Sequence, residues 1–350
     1  MKRPIILLLT TAVLTATSLL TTQCVRRPLV DVGNTHYVRV YLDEEIKNVT
    51  TGFYNPALDK PDYSTPEILR VVLYDQTSNR IAAERYLRNR KVDARGVYYD
   101  GYIVAEPGDY RLLTYNFGTE STIIDQSHIY HGATAYTNEI SSVLRQSLSV
   151  RAEGDEERIV YIPDHLFVDR NEELTLDYGM DVDTLRNASG DHFTAGSIVL
   201  SYYLQVRVKG AQWISSAVGL LTGMAGSATL HDGNVILEDP VTIYFEMQRG
   251  EVEQGSDEAF IYTTFHTFGK LPDQNNELQL TFDVRTTDGR ALTTTIDITD
   301  EFSKPDAIEH QWLLLDTVLT IPEPEEPTGG GDGFVPEVDD WEDIETDIII

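Results

Sequence analysis

The feature that most constrains this chain is an alternation of apolar and polar residues with a period of two, recurring from about residue 36 to residue 320. Successive side chains of a strand point to opposite faces, so the pattern gives each strand one face for a core and one for water. In Tyr37–Leu42 the inward set is Val38, Val40 and Leu42. Extended segments follow at Ile68–Tyr74 and Gly108–Asn116. Later, Leu200, Tyr202, Leu204, Val206 and Val208 share one face, and Val241, Ile243, Phe245 and Met247 share another. A hairpin is expected with Leu278, Leu280, Phe282 and Val284 on one arm and Leu292, Ile296 and Ile298 on the other, joined by Asp288-Gly289. On its first arm Leu280 and Phe282 should be buried while Thr281 and Asp283 face solvent. No strand–helix–strand alternation occurs, which argues against α/β folds. Many short strands at close spacing argue for β-sandwiches.

Helix is scarce. Asn138 is expected to cap a short helix carrying Ile140, Val143, Leu144 and Leu148. Trp213–Gly226 is the most apolar internal run, but it is too short and too rich in Gly and Ser to span a membrane. A buried loop or short helix is expected there. The polar run Arg151–Arg158 marks a boundary, giving a first sandwich within 24–155 and a second at 156–322.

The two ends differ from this body. Met1-Lys2-Arg3 and the uncharged stretch Pro4–Leu20 form a basic start and an apolar segment, the pattern of an export signal over residues 1–23. Cys24, the sole cysteine, follows directly, so no disulfide and no cysteine-based metal site is available. At the other end, residues 323–350 open with a Pro-then-Gly linker and continue without a single basic residue. Phe334, Val338, Trp341, Ile344 and Ile348 are too many apolar residues for a purely solvating tail, which points to a docking or strand-exchange segment.

The chain holds 27 Lys+Arg against 57 Asp+Glu, a net charge of −30, which repels phosphate backbones and excludes nucleic acid as the main partner. No nucleophile elbow, zinc signature, dinucleotide fingerprint or P-loop is present. His128 and His131 are the only close histidine pair and are expected to be a solvated or core-edge pair rather than metal ligands. With 57 acids, no carboxylate pair can be singled out for glycosidase chemistry. No enzyme activity, cofactor or metal is therefore expected. The aromatic loop Tyr98-Tyr99-Asp100-Gly101-Tyr102 is the kind that stacks on sugars, which keeps a glycan-binding lipoprotein of a nutrient-uptake system as the alternative function.

Several phrases carry a resemblance. The segment ending in Cys24 resembles a bacterial lipoprotein signal in which that cysteine is lipidated. Tyr37-Val-Arg-Val-Tyr41, Pro107–Phe117, Tyr202–Gly210 with Ser215–Gly226, Phe265–Gly269 and the tail from Phe334 to Trp341 resemble Bacteroidales fimbrillin-type lipoproteins, nearest to the FimB/Mfa-type minor or anchor subunits. That resemblance implies two tandem transthyretin-like β-sandwiches, lipid anchoring at Cys24 in the outer membrane, and assembly with other fimbrial subunits by β-strand addition. Stalk subunits of that family resemble precursors cut after an arginine beyond their first strand. Here Tyr41–Pro66 contains Lys47 and Lys60 but no arginine, so the resemblance implies an anchor rather than a stalk.

Overall fold

The structure, a computed structural model, describes residues 34–43, 65–117, 119–149, 158–177, 185–250, 258–272 and 277–324. Cys24 and Phe334, Val338, Trp341, Ile344 and Ile348 lie outside the described residues. In chain order the strands are β1 (Thr35–Leu42), β2 (Ile68–Asp75), β3 (Ile81–Leu87), β4 (Asn89–Asp93), β5 (Gly96–Val104), β6 (Gly108–Phe117), β7 (Thr122–Asp125), β8 (Thr134–Thr137), β9 (Arg158–Tyr161) and β10 (Phe167–Leu176). They continue as β11 (Phe193–Ser197), β12 (Leu200–Lys209), β13 (Ile214–Ala225), β14 (Ser227–Thr229), β15 (Pro240–Arg249), β16 (Glu258–Thr267), β17 (Gln279–Thr286), β18 (Ala291–Asp297) and β19 (Trp312–Thr320). Among the described residues two short α-helices, α1 (Ser142–Ser147) and α2 (Pro305–His310), and three short 3-10 turns at Tyr130–Gly132, Ala211–Trp213 and Thr299–Ser303 accompany the strands.

The strands form two large sheets and a small one. The first runs β3-β2-β6-β10-β11-β1-β5-β4. Its two ends curl together, with β3 packed against β5 around a core of Val38, Val40, Leu69, Val71, Leu73, Leu112 and Phe193. The second runs β18-β17-β13-β15-β16-β12-β19, with β9 added in parallel to β15, and closes on Leu204, Val206, Leu221, Ile243, Phe245, Phe265, Leu280 and Phe282. The all-β sandwich architecture expected from the alternation is the one found.

A third core joins the two units. Val72, Tyr74, Leu113 and Tyr115 turn away from the first core and meet Ala133 and Ala135 near the small β14-β8-β7 sheet, together with Ala225, Leu230 and Phe268 from the second half of the chain. Burying both faces of β2 and β6 removes them from water, which is why Ile68–Asp75 reads as apolar almost without a break.

Four sequence expectations are corrected. A division at 155/156 does not follow the sheets, because β10 and β11 hydrogen-bond into the first sheet and the second sheet takes over only at β12. Trp213–Gly226 is neither loop nor helix: Ile214–Ala225 is the strand between β15 and β17. Its run of apolar residues reflects burial on both sides, with Ala217, Leu221 and Met224 in the main core and Leu220 against Ile140 and Tyr244 outside it. The helix after Asn138 is capped instead by Ser141, whose hydroxyl accepts the Leu144 amide, and Val143 stands exposed.

The fourth correction concerns β17. Leu280 and Phe282 are buried as expected, but so are Thr281 and Asp283. The segment 140–149 crosses the outer face of this sheet, and the Ser149 amide donates to Asp283 Oδ2 at 2.6 Å. A face covered by another segment need not be solvated even where its residues are polar.

Candidate functional site

The outer face of β4, β5 and β1 gathers the chemistry-bearing residues of the first unit. Antiparallel register sets Tyr37 opposite Tyr102, Arg39 opposite Asp100 and Tyr41 opposite Tyr98. Lys91 of β4 lies opposite Tyr98 and adds a further cation. Period-two geometry puts all of these on one face, while Val38, Val40, Tyr99 and Ile103 point into the core.

Their polar atoms are matched to one another. Tyr37 donates to Asp100 Oδ2 at 2.6 Å, and Lys91 Nζ donates to the same oxygen at 2.6 Å. Burial alone would raise the Asp100 carboxyl, but the bonds from Lys91 and Tyr37 outweigh it and hold the group below its ordinary value. Tyr41 donates to Asp93 Oδ2 at 2.8 Å, and that bond is the main reason Asp93 is also held low. Arg39 donates to the hydroxyls of Tyr41 and Tyr37, and its guanidinium lies 4.3 Å from the centroid of the Tyr98 ring. Arg95 sits 4.7 Å from the Tyr41 ring.

This arrangement suits recognition rather than bond-making. The acids are ionised and already paired with cations, which leaves neither a free base nor an activated nucleophile among them. Of the three tyrosines expected as glycan contacts, Tyr102 offers its ring to solvent at 52% exposure and packs on Tyr37 with centroids 5.4 Å apart. Tyr98 lies under Arg39 at 8% exposure. Tyr99 is fully buried, and its hydroxyl donates to the Pro66 carbonyl. The register thus brings Tyr98 and Tyr102 to one face and sends Tyr99 to the other.

His131 meets His231 ring to ring, with centroids 4.9 Å apart, and also Tyr130. Among the described residues no group of three or more His, Cys, Asp or Glu side chains could hold a metal ion. No helix among them is long and apolar enough to cross a membrane. Sequence reasoning passed over the consecutive strands β3 and β4. Its signal was available, since residues 80–95 hold six basic residues and two acids in a strongly acidic chain.

Fold and face together define an all-β protein of two packed sandwiches with a face of tyrosines, arginine and lysine on β4, β5 and β1. The family model described as Domain of unknown function (DUF5119) matches residues 59–246, more than half of the chain, and the chain belongs to that family. The match runs through β10 and β11 into the second sheet, across any division at residue 155. The chain is also similar to the putative fimbrium anchoring subunit Fim4B of Bacteroides ovatus, with 24% identity covering 94% of each protein. Among solved structures it is similar to a putative adhesin from Bacteroides ovatus, at 21% identity and a TM-score of 0.56, covering 87% of this chain and 99% of that one. A weaker likeness, 13% identity and a TM-score of 0.43, is to the fimbrial anchor protein Mfa2 from Porphyromonas gingivalis, covering 82% of this chain and 90% of that one.

Proposed function

We propose that this chain is a non-enzymatic lipoprotein of the cell envelope that serves as an anchor or minor subunit of a fimbrium. Lipid at Cys24 would hold it in the outer membrane, facing the cell surface. Other fimbrial subunits would join it by β-strand addition, with the segment bearing Phe334, Val338, Trp341, Ile344 and Ile348 as the candidate strand.

The observation that carries the reading is the place of β1. It lies inside the first sheet with β5 on one side and β11 on the other, and Val38 and Val40 are fully buried. A strand held this way keeps the body tied to Cys24, eleven residues before Thr35. Its removal would open a slot between β5 and β11 and strip the first core, as a polymerising subunit requires and an anchor does not. Similarity to an anchoring subunit over nearly the whole chain supports the same reading. The glycan-binding alternative keeps one supporting observation, the open Tyr37–Tyr102 ring pair.

The test is fractionation with co-purification. The native chain should sediment with outer membrane and bring fimbrial subunits with it, and Cys24→Ala should move to the soluble fraction with unchanged melting. A folded Cys24→Ala protein that stays with the membrane removes the lipid assignment. Native protein that never brings down another subunit removes the fimbrial one.

A further inference from the structure

In a chain of net charge −30, neighbouring guanidinium groups with neither a carboxylate nor a hydrogen-bond partner are free to hold an acidic ligand. Three stand close in sequence on the run of β3 and β4, which pairs with β2 through β3 and with β5 through β4. Glu84 is taken by Arg70, Asp93 by Arg39 and Tyr41, and Asp100 by Lys91 and Tyr37. That leaves the side chains of Arg85, Arg88 and Arg90 exposed, with no ion pair or hydrogen bond among the described residues.

The surroundings are those of a receiving surface. A cleft of about 500 Å³ between the end of β3 and β5 is lined by Arg85, Arg88, Tyr86 and Asn89, with Gly101 and the two already paired acids Glu84 and Asp100. Exposed apolar groups adjoin it: Tyr86 packs edge-on against Phe117, which is 46% exposed, and Val92 of β4 is 66% exposed. Among the described residues β4 pairs only with β5, which leaves its second edge able to take another strand. A fitting ligand is extended, rich in carboxylates and interspersed with apolar side chains.

We infer that the occupant is the chain's own C-terminal segment, Phe334–Ile350, laid along β4 with its carboxylates on Arg85, Arg88 and Arg90. From residue 325 onward the chain carries ten acidic side chains and no base, interleaved with Phe334, Val338, Trp341, Ile344 and Ile348. The tether leaves from Glu323, whose carbonyl accepts a 2.9 Å bond from Arg290. The ten residues between Glu323 and Phe334 span up to about 35 Å when extended, and the fifteen before Asp339 about 50 Å. Attachment raises the effective concentration of the chain's own tail over a neighbour's wherever the linker spans the gap. The inference rests on the reading of this segment as a docking strand and gives it a resting place when no partner holds it.

The test uses the full chain and a protease that cuts after acidic residues. In low salt the tail should be cut at least about ten times more slowly than in Arg85→Glu/Arg88→Glu/Arg90→Glu, and salt of about 0.5 M should abolish the protection. A chain with Asp339, Asp340, Glu342 and Asp343 changed to their amides should lose protection too, which covers the case of an arginine variant that folds poorly. Light scattering should show a monomer while the tail is protected. Equal cutting of native and variant chains overturns the inference, as does protection that survives the arginine changes or occurs only in an oligomer. Loss of co-purifying fimbrial subunits with protection intact would instead count against the fimbrial reading alone.

Discussion

Gly219 of β13 and Phe245 of β15 are register partners, and the phenyl ring fills the space where a side chain at Gly219 would begin. A β-carbon there would stand 2.1 Å from the ring's Cε2. The close approach lets Phe245 stack on Phe265, with centroids 4.8 Å apart and planes 11° apart, at the centre of the second core. Gly219→Ala should therefore displace the ring and lower stability by about 1–3 kcal/mol. That outweighs the roughly 0.4–1 kcal/mol gained by restricting the unfolded backbone. Adding Phe245→Leu should recover part of the loss, since the two positions share one space. Urea melts of the three variants check this, and an unchanged midpoint for Gly219→Ala would show that the ring has room to move.

Tyr99 and Tyr102 sit three residues apart on β5 and should behave oppositely. Tyr99→Ala empties a fully buried site and should cost about 3–5 kcal/mol. Tyr102→Ala removes a half-exposed ring and its contact with Tyr37, a loss of about 0.5–1.5 kcal/mol. If the face binds sugars, binding on a glycan array should vanish with Tyr102→Ala while the protein stays folded. Thermal melts alongside the array separate a lost contact from a lost fold.

The alternation made the architecture legible, because it records which residues of a strand meet a core. It worked for β1 and β12, each with a dominant buried face, and the Asp288-Gly289 turn was read directly, with Gly289 at φ 84°. It failed where both faces are covered. For β13 the second cover comes from Ile140, Leu144 and Leu148, and no local pattern announces a covering segment from elsewhere in the chain. The same physics hid the sheet membership of β10 and β11, because pairing β11 with β1 joins residues about 150 positions apart. The tyrosines of the candidate face were visible as residues, but their division between core and surface required the register. The basic run through β3 and β4 was legible as charge, and the shortage of partners for Arg85, Arg88 and Arg90 was not.

The covered outer face of β17 predicts a cost at positions that alternation alone would treat as solvent-facing. Asp283→Ala removes the acceptor of the Ser149 amide, a bond to a charged group worth about 1.5–3 kcal/mol. The segment 140–149 should then exchange its amide hydrogens faster. Thr281→Ala loses the 2.9 Å contact with the Thr295 hydroxyl and should cost about 1 kcal/mol. Phe282→Ala, on the core side, should still cost the most, about 3–5 kcal/mol. Hydrogen exchange that leaves 140–149 unchanged in Asp283→Ala would mean the segment is held by its apolar contacts alone.

Acid should weaken the contact between His165, just before β10, and His266 of β16. Their rings lie 4.3 Å apart, and His266 Nδ1 is 2.9 Å from the Ser201 hydroxyl. Burial is the main reason His266 is pushed down to about 3 and His165 to about 4, and the neighbouring His165 depresses His266 further. An unfolded histidine titrates near about 6.5, so between these values the unfolded chain binds more protons than the folded one. The stability held by the neutral pair is complete above about pH 6.5. It falls as pH drops through that value, by up to about 1.4 kcal/mol per pH unit for each histidine. Relief of self-repulsion in so acidic a chain acts in the opposite direction over the same range, so the native melting curve alone would mix the two effects. The variant His165→Gln/His266→Gln keeps the background and removes the pair. The native protein should lose stability relative to this variant between pH 7 and about pH 5, and parallel pH profiles for the two would show that the histidines are not held neutral by burial.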